Sequence, residues 1–266
     1  MAGPISLATW NVNSIKVRAG HVQAWLREAQ PSILALQELK TTAEGFPGAE
    51  FESGGYHASV HGQKTWNGVA LLSKLPFEEV APGLIGDNAD AQARFLEAIV
   101  STQSGVLRVV SLYLPNGNGS EDKYAYKLNW MDRLIQFSHE RLKLEEPMLL
   151  AGDYNVIPTP LDARRPEAWV NDALFLPPTR ARFRALTNLG FTDAIRAVSD
   201  EPDLYTFWDY QAGAYQKNDG IRIDHVMLSP QAADKLVDAG IDAHVRGWDK
   251  PSDHVPVYVD LAIEAR

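Results

Sequence analysis

The sequence predicts an α/β protein in which two packed β-sheets are flanked by helices. Many short apolar runs are rich in strand-forming residues, whereas only a few segments show the longer apolar period of a helix. Strands and long helices in this proportion favour packed sheets covered by helices. The 266 residues contain no internal repeat, low-complexity segment or dividing linker, so we expect one domain spanning residues 1–266.

The chain opens with a strand, a helix and a second strand. Residues 5–10 form an apolar run that ends in polar residues, which is typical of a buried strand. Apolar side chains recur at helical spacing through residues 22–29, and Pro31 marks the end of that helix. The apolar run 32–36 predicts the second strand. Both strands therefore end in polar side chains.

The remaining elements follow the same two patterns. Further strands are predicted at 56–60, 68–73, 95–100, 106–114, 148–151, 223–228 and 255–262. Helical spacing predicts helices at 123–142, 179–189 and 231–238. Residues 158–178 contain five prolines, and we interpret them as an ordered surface loop.

The bulk composition narrows the class of protein. Apolar residues make up 45% of the chain and no run reaches the length of a membrane span, so we expect no membrane association. Residues 1–5 lack the basic and apolar regions of a signal peptide, which predicts a cytoplasmic protein, nucleoid-associated if bacterial. The chain has no cysteine, so any metal site must use oxygen ligands or histidine, which favours hard divalent cations.

Two early strands end in side chains that could bind such a cation. Asn11 follows the first strand and Glu38 follows the second. Ligands gather at strand ends in open α/β sheets, and amide and carboxylate oxygens suit a hard cation. The alternative is that Asn11 caps a turn and Glu38 is simply exposed.

A second polar group follows the apolar run 148–151. Gly152 would permit an unusual turn there, which would display Asp153 and Asn155 two residues apart. Asp153 could then take a proton from water while Asn155 holds the carboxylate or the attacked group. Alternatively these residues are only turn formers.

The last polar group lies before the final strand. Asp253 and His254 are adjacent and should face opposite ways, so His254 needs another carboxylate, for which Asp224 is the best candidate. The alternative is a core Asp and a capping His.

Tyr113 and Asn116, at the end of another strand, are good donors to a phosphate oxygen, although Tyr113 could equally be a core residue. Neither a nucleophilic serine elbow nor a P-loop is present.

Taken in order, six motifs resemble those of the exonuclease III family of AP endonucleases, and the resemblance covers essentially the whole chain. The motifs are Thr9-Trp10-Asn11-Val12-Asn13, Leu36-Gln37-Glu38, Gly68-Val69-Ala70-Leu71-Leu72, Gly152-Asp153-Tyr154-Asn155, Arg222-Ile223-Asp224 and Ser252-Asp253-His254-Val255-Pro256. The resemblance implies a four-layer α-β-β-α sandwich with two mainly antiparallel sheets and an active site at one end of them. It also implies hydrolysis of the DNA backbone at abasic sites, removal of 3′ blocks, or 3′ to 5′ digestion.

The resemblance further implies a role for each site residue. Glu38 matches the principal Mg²⁺ or Mn²⁺ ligand, with Asn11 and Asp253 close to the metal. Asp153 matches the residue that activates water, oriented by Asn155. His254, paired with Asp224, matches the residue that stabilises charge on the phosphate, and Tyr113 is the remaining catalytic match. Tyr113 and Asn116 both fall where the family contacts phosphate.

The expected partner is double-stranded DNA with abasic sites or 3′ ends, bound by a monomer. Predicted substrate-binding residues are Asn13, Asn116, Lys127, Phe207, Trp208 and Arg222. The two aromatics could pack against a flipped sugar or could be core residues, and Ile221 stands where some members carry a Trp. The formal charge of −9 counts against a polyanion. We therefore hypothesise that basic side chains ring the site, namely Lys16, Arg18, Lys64, Lys127 and Arg222.

Two other functions remain open at this point. One is a phosphodiesterase of the same superfamily acting on a different substrate, such as an inositol phosphate or a phospholipid head group. The other is a catalytically inactive, nucleic-acid-binding regulator on the same fold, which would be expected to have lost parts of the polar set. Every position of that set is filled in this chain.

Overall fold

A computed structural model describes residues 4–266, so residues 1–3, where the segment tested for a signal peptide begins, lie outside it. Two six-stranded sheets form its centre. The first sheet has the order β11-β12-β1-β2-β4-β3, with strands β1 (Pro4–Asn11), β2 (Ile33–Gln37), β3 (His57–His61), β4 (Val69–Ser73), β11 (Leu236–Ile241) and β12 (Val257–Glu264). The second has the order β5-β6-β7-β8-β10-β9, with strands β5 (Phe77–Pro82), β6 (Phe95–Thr102), β7 (Gly105–Tyr113), β8 (Met148–Asp153), β9 (Thr192–Asp193) and β10 (Asp224–Leu228).

Each sheet contains one parallel pair. Strands β1 and β2 run parallel in the first sheet, and strands β7 and β8 run parallel in the second. All other neighbouring strands are antiparallel. The predicted pair of mainly antiparallel sheets is therefore confirmed.

Residues 4–266 contain six helices, and the four that come first in the chain cover the outer faces of the sheets. The six are α1 (Ile15–Ala29), α2 (Gly48–Glu52), α3 (Glu121–Leu142), α4 (Pro177–Asn188), α5 (Ala194–Val198) and α6 (Pro230–Ala233). Side chains of α1 and α2 pack on the first sheet, and those of α3 and α4 pack on the second. The short helices α5 and α6 instead contribute apolar side chains to the core between the sheets. No helix within residues 4–266 is long and apolar enough to cross a membrane. The layers are thus helix, sheet, sheet and helix, as expected.

The alternation of side chains along the strands builds the core. In β1, Ile5 and Leu7 face the second sheet, whereas Ala8 and Trp10 face α1. Apolar residues on the inner faces of both sheets form one continuous cluster between the sheets. Each sheet is therefore buried on both faces, which explains why its central strands appear in the sequence as unbroken apolar runs.

A buried polar link joins the two sheets close to the ends of the parallel pairs. Gln37 exchanges hydrogen bonds with Thr9 beside it, and its Nε2 donates to Ser111 Oγ of the second sheet at 3.2 Å. Ser111 Oγ donates to the Leu36 carbonyl at 3.0 Å. Because buried polar groups must be paired, these bonds fix the register of one sheet on the other.

The predicted helix at 231–238 is wrong in its second half. Only Pro230–Ala233 is helical, and Leu236–Ile241 forms edge strand β11. The apolar spacing there fits a helix locally, but pairing with β12 satisfies the backbone instead. Several short elements were not predicted at all, namely β5, β9, α2 and α5. The sequence of strand β5 lacks the apolar pattern that predicts a buried strand, because nearly all of its side chains are exposed.

The loop 158–178 is ordered, as predicted. It contains 3₁₀ turns at Pro160–Asp162 and Pro166–Trp169, and a third such turn occurs at Ala243–Gly247. Thr159 caps the first turn, because its backbone N–H and hydroxyl both donate to Asp162. The loop is thereby held on one side of the second sheet.

A buried ion network anchors this loop and overturns the predicted role of Arg222. The Arg222 guanidinium is 1% exposed and donates to Asp162 and Asp193, at 2.7 Å each. Arg196 donates to Asp162 as well, at 2.8 Å. All of this positive charge is used inside the protein, so Arg222 lies where DNA cannot reach it. Arg222 belongs to the same short motif as Asp224, and no local pattern in the sequence indicates that its side chain is buried.

The ion network makes a prediction about stability. Arg222 and Arg196 hold the pKa of the Asp162 carboxyl at about 2, below its usual range, so its contribution is present above about pH 4 and is lost as the pH falls towards about 2. We expect Asp162→Asn to lower the free energy of unfolding by about 3 kcal/mol at neutral pH. The difference from the wild type should shrink as the pH falls below about 4. Urea unfolding over that pH range measures both effects.

Asp132→Asn is the matched control, since Asp132 pairs with Arg182 on the surface. An exposed ion pair contributes at most about 1 kcal/mol, so this variant should unfold almost like the wild type. If both substitutions lower the free energy of unfolding by the same amount, the buried network contributes no more to stability than an exposed ion pair.

Candidate active site

The ends of five strands meet at one edge of the sandwich. Asn11 ends β1 and Glu38 follows β2, while Tyr113 and Asp153 end the parallel pair of the second sheet. Asp224 opens β10 directly opposite Asp153 in the antiparallel register. Parallel strands end at the same edge, and the antiparallel β10 begins there, so the topology alone gathers these side chains.

The imidazole of His254 is buried between two carboxylates. Its Nδ1 lies 2.8 Å from Asp224 Oδ2, and its Nε2 lies 3.7 Å from Asp153 Oδ2. Burial alone would lower its pKa, but the two carboxylates outweigh burial and raise the pKa of His254 to about 10. The ring is therefore protonated at neutral pH, with Nδ1–H donating to Asp224, as predicted from the sequence. Thr206 Oγ1 donates to the same Asp224 oxygen at 2.6 Å.

Asn11 bridges the carboxylates of the two sheets. Its Nδ2 donates to Glu38 Oε1 and to Asp153 Oδ2, at 2.9 Å each, while its Oδ1 accepts from the backbone N–H of Asn13. The oxygen predicted to face a metal is thus turned away from the carboxylates. Asn11 therefore orients Glu38 and Asp153 in this structure and does not offer them a shared ligand oxygen.

Burial shapes the proton chemistry of Asp153. Desolvation and the nearby Asp224 raise the pKa of the Asp153 carboxyl, whereas His254 and the Asn11 amide oppose that rise. Its Oδ1 accepts from the backbone N–H of Asn155 at 2.9 Å, which fixes the carboxylate plane. A carboxylate with a raised pKa is a better proton acceptor than an ordinary surface Asp.

Glu38 is surrounded by donors. Tyr113 Oη donates to its Oε1 at 2.9 Å, and Lys40 Nζ lies 2.9 Å from its Oε2. Burial opposes ionisation of Glu38, but Lys40 and Asn11 outweigh it and lower the pKa of its carboxyl. Burial and the Glu38 charge raise the pKa of Tyr113, so its phenol stays neutral and keeps a proton to donate. Lys40 also donates to Asn13 Oδ1, which extends the network to the rim.

Asn155 is held from three sides. Its Nδ2 donates to the Leu114 carbonyl at 2.9 Å, and Asn116 Nδ2 donates to its Oδ1 at 3.1 Å. Lys127 Nζ donates to the carbonyls of both Asn116 and Asn155. Lys127 is completely buried, so the predicted substrate contact is wrong, and its role is to join the two loops. Burial lowers the pKa of its ammonium to about 7.

Strained backbone concentrates at the site. Asn13, Glu38, Lys40 and Asn155 all have positive φ angles, of 43°, 51°, 53° and 47°. Non-glycine residues rarely adopt this left-handed region, and such strain typically clusters at functional sites. Gly152, however, does not form the predicted turn. It lies within β8, where an added Cβ would meet the Leu112 carbonyl oxygen at 1.9 Å, so glycine is required by the neighbouring strand.

A cavity of about 260 Å³ lies over the cluster, and we call it the active-site cavity. Phe207, Ile221, Leu174 and Trp169 form its apolar walls, beside the catalytic cluster. Phe207 contacts the His254 ring edge to face at 5.0 Å. Trp208 is buried in the opposite direction, where its Nε1 donates to Asn218, so the predicted substrate contact of Trp208 is wrong.

The residues present fit a hard divalent cation. Ligand atoms of Glu38, Asp153 and His254 lie within 4.8 Å of one another. His254 is protonated at neutral pH and offers no lone pair, which leaves the two carboxylates, and Mg²⁺ commonly binds to one or two carboxylates plus water. Asp253 is not part of this group, because its Oδ1 accepts from Asn13 Nδ2 at 3.1 Å. Of the three predicted metal ligands, Asn11, Glu38 and Asp253, only Glu38 therefore belongs to this group.

The hypothesised ring of basic residues is only partly present. Lys16 and Lys64 are exposed, and Arg18 lies at the rim, where it donates to the carbonyls of Asn13 and Pro251. Lys127 and Arg222 are buried and contribute nothing to a DNA-facing surface. A second cavity of about 440 Å³ adjoins the active-site cavity and carries two cationic side chains outside the hypothesised ring, those of Arg94 and Lys123.

Sequence reasoning missed several residues of the site. Lys40 had a signal, since it lies two residues after Glu38 and both are polar after an apolar strand. Trp169 and Asn118 sit in loops without any motif, and only the fold brings them to the cavity. Thr206 could not have been found, because its contact with Asp224 depends on a distant loop meeting the start of β10.

The chain is similar to known proteins over most of its length. The family model described as Endonuclease/Exonuclease/phosphatase family matches residues 8–254. Exodeoxyribonuclease III of Haemophilus influenzae is 33% identical over 262 residues, covering 95% of this chain and 98% of that protein.

Two solved structures superpose closely. The 3′ phosphatase NExo from Neisseria, bound to a product DNA hairpin, has a TM-score of 0.92 and 37% identity, covering 97% of this chain and 99% of that one. An AP endonuclease from Archaeoglobus fulgidus has a TM-score of 0.91 and 35% identity, with the same coverage. The similarity therefore extends over nearly the whole fold.

The pairing of His254 with Asp224 can be tested by titration. Asp224→Asn removes the charge that contributes most to the raised pKa of His254, so the imidazole should titrate about 1 to 3 pH units lower than the wild-type value of about 10. NMR spectra of the ring in EDTA-treated protein follow this titration directly.

His225 provides an internal control in the same spectra. Burial and Arg222 lower the pKa of His225 to about 4, so its ring should stay neutral throughout and should not respond to Asp224→Asn. If the His254 titration is the same in both proteins, Asp224 does not hold the imidazolium.

Proposed function

The chain belongs to the endonuclease/exonuclease/phosphatase family and is an enzyme that hydrolyses phosphodiester bonds; we propose that its substrate is double-stranded DNA with abasic sites or 3′ ends. One observation carries the reaction. A carboxylate with a raised pKa, Asp153, lies beside the protonated imidazole of His254 in a small cavity. A base for water and a cation for phosphate are thus adjacent.

We infer that Asp153 acts as the general base. In the proposed reaction, a water beside Asp153 Oδ2 loses a proton to the carboxylate and forms a bond to phosphorus, while the bond to the leaving oxygen breaks. Asn11 and Asn155 hold the carboxylate through one hydrogen bond each, so its lone pairs keep a fixed direction. Such positioning of the base contributes to the rate because little reorganisation is needed.

His254 would stabilise the negative charge that grows on the phosphoryl group. Its Nδ1–H is used by Asp224, so its Nε2–H is left to face Asp153 and the cavity. A preorganised cation in a buried site stabilises an anionic transition state far better than one in water. Asn116 and the neutral phenol of Tyr113 line the same cavity. Asn116 has a second amide proton for a phosphate oxygen, and Tyr113 would donate to one in exchange for its hydrogen bond to Glu38.

We infer that Glu38 is the principal ligand of a divalent cation, with Asp153 beside it and Asp253 at the rim. The bound cation, Mg²⁺ or Mn²⁺, would supply Lewis acidity to a phosphoryl or leaving oxygen. Lys40 occupies one side of Glu38 and keeps that carboxylate ionised, ready to bind.

The size and lining of the active-site cavity limit which part of a substrate can enter. A volume of about 260 Å³ admits a single sugar and phosphate but not a base pair, so an internal target must leave the stack to enter. Phe207 would contact the sugar. Ile221 is smaller than the Trp of some family members, which leaves this wall open. Asn13 at the rim and the cations of the adjoining cavity would hold the flanking strand.

We propose that the whole chain, residues 1–266, acts as a single catalytic domain and as a monomer inside the cell. The five residues Asp153, His254, Asp224, Asn155 and Tyr113 carry its catalytic roles. Four of them line one cavity, and Asp224 lies behind His254, to which it is hydrogen-bonded, so one chain supplies the whole site and no partner subunit is needed to complete it.

The roles of Asp153 and Glu38 predict the effect of isosteric substitutions. Asp153→Asn removes the proton acceptor and should lower kcat by about 10²-fold to 10⁴-fold. Glu38→Gln weakens cation binding and should lower activity by about 10²-fold or more at limiting metal. A gel assay on a duplex with an internal abasic analogue measures both, and circular dichroism reports on folding.

Glu52→Gln and Asp234→Asn are matched controls, because both side chains are exposed and lie outside the site. They should cleave at wild-type rates. Near wild-type cleavage by Asp153→Asn or Glu38→Gln would refute the assigned roles.

The metal and the preferred substrate can be determined together. We expect EDTA to abolish cleavage and Mg²⁺ or Mn²⁺ to restore it, since the donor set suits a hard cation. Three duplexes separate the activities, namely one with an internal abasic analogue, one with a 3′-phosphate and one with a plain recessed 3′ end. Cleavage that persists unchanged in EDTA would contradict the proposed dependence on a metal.

A further inference from the structure

A groove of about 400 Å³ lies on the second sheet's side, away from the active-site cavity. It runs between the 3₁₀ turn at residues 160–162 and helix α4. We call it the arginine groove and define it by six lining residues, Leu161, Asp162, Arg180, Phe183, Arg184 and Arg196. None of the six lines the active-site cavity.

The charges in the floor of the groove are already neutralised. Asp162 accepts from both Arg196 and Arg222, and Asp193 accepts from Arg222. These groups form the buried ion network described above, so they are not available to attract a ligand. The floor is rigid and has little net charge.

The wall formed by α4 carries unpaired positive charge. Arg180 and Arg184 are four residues apart, on one face of the helix, and neither forms an ion pair with any carboxylate of residues 4–266. Arg180 is held in place, because its Nε donates to the Phe175 carbonyl at 2.9 Å and its guanidinium stacks on the Phe175 ring at 4.4 Å. A chain with a formal charge of −9 thus presents two adjacent, uncompensated guanidiniums.

Apolar side chains line the space between these charges. Leu161, on the 3₁₀ turn, is 42% exposed, whereas Phe183 on α4 is 4% exposed and lines the groove with only a small part of its side chain. Pro158 and Pro160 form a stiff edge opposite the helix. A concave apolar surface rimmed by cations offers both burial and charge pairing.

We propose that the arginine groove binds an acidic peptide segment of a partner protein, with one apolar side chain of the peptide packed against Leu161 and the small exposed part of Phe183. The carboxylates of the peptide would pair with Arg180 and Arg184. Planar guanidiniums bind carboxylates through two parallel hydrogen bonds, which gives orientation as well as attraction.

The shape and chemistry of the groove favour a peptide over a nucleic acid. Phosphates would use the two guanidiniums but would gain nothing from Leu161, Phe183 or the prolines. An acidic segment with an apolar side chain uses every part of the lining.

The location permits binding at both sites at once. The ion network of Arg222 separates the groove from the active-site cavity, to which the neighbouring Ile221 and Ile223 contribute walls. A partner held here would leave the catalytic cluster open. The inference does not depend on the proposed DNA substrate, since the groove and the cavity share no lining residue.

Fluorescence anisotropy with synthetic probes tests the proposal. The first probe is a labelled peptide of six Asp residues with one central Phe, titrated with the full chain at low salt. We expect saturable binding that weakens as salt rises. Arg180→Glu with Arg184→Glu should weaken it about tenfold or more, because two attractions become repulsions. If the charge-reversed variant does not fold, the milder double variant Arg180→Gln with Arg184→Gln replaces it and should also weaken peptide binding.

Arg27→Glu is the matched control, since Arg27 is exposed, lies on α1 and has no carboxylate partner among the described residues. It makes the same change in net charge per site and should leave peptide binding unchanged. A peptide with Gly in place of Phe should bind several-fold more weakly. Cleavage of an abasic duplex by the double variant should stay at the wild-type rate, which separates this test from that of the proposed function.

Four results would overturn the proposal. These are no binding up to about 1 mM peptide, equal binding by the wild type and the double variant, equal binding of the Phe and Gly peptides, and displacement of the peptide by a single-stranded oligonucleotide or inorganic phosphate acting at Arg180 and Arg184. The last result would identify a phosphate site instead.

Discussion

The protonated imidazole of His254, held between the carboxylates of Asp224 and Asp153, is the interaction on which the rest of the site depends. A buried charge without partners costs several kcal/mol, so this cation fixes where its two anions must be. Asp224 and Asp153 are register partners on neighbouring strands. The loop carrying Thr206 must also arrive, because its hydroxyl binds the same Asp224 oxygen. A single electrostatic requirement thus ties two strands and two loops together.

The sandwich supplies the geometry that this requirement needs. Each sheet has one parallel pair, and both pairs end at the same edge, which brings a carboxylate from each sheet to one point. The polar contact between Gln37 and Ser111 fixes one sheet on the other just below that point. Left-handed backbone at Glu38 and Asn155 then turns the chain away from the sheets and towards the cavity. The apolar core between the sheets stabilises the fold that holds this strain.

The chain has a net negative charge, and its basic side chains differ in whether they are buried or exposed. Some cations serve the interior, as Arg222 and Lys127 do, and these cannot meet a polyanion. Others remain at surfaces with distinct shapes: Arg94 and Lys123 beside the active-site cavity, and Arg180 with Arg184 in the arginine groove. Net charge therefore describes solubility and long-range repulsion, while recognition depends on which few cations are exposed and what lies between them.

The sequence by itself determined the layers, most strands and the identity of the central cluster, because apolar period and polar strand ends are local properties of the chain. Glu38, Asp153 and His254 were found in this way, and so was the pairing of His254 with Asp224. The tertiary structure alone decided burial. Phe207 and Trp208 are neighbours in sequence, yet one faces the cavity and the other the core. Arg222 and Lys127 are residues of the type expected to contact DNA but point inwards, and Asn11 presents its amide protons where an oxygen was expected. The direction and burial of a side chain depend on contacts between residues far apart in the chain, which no local pattern encodes.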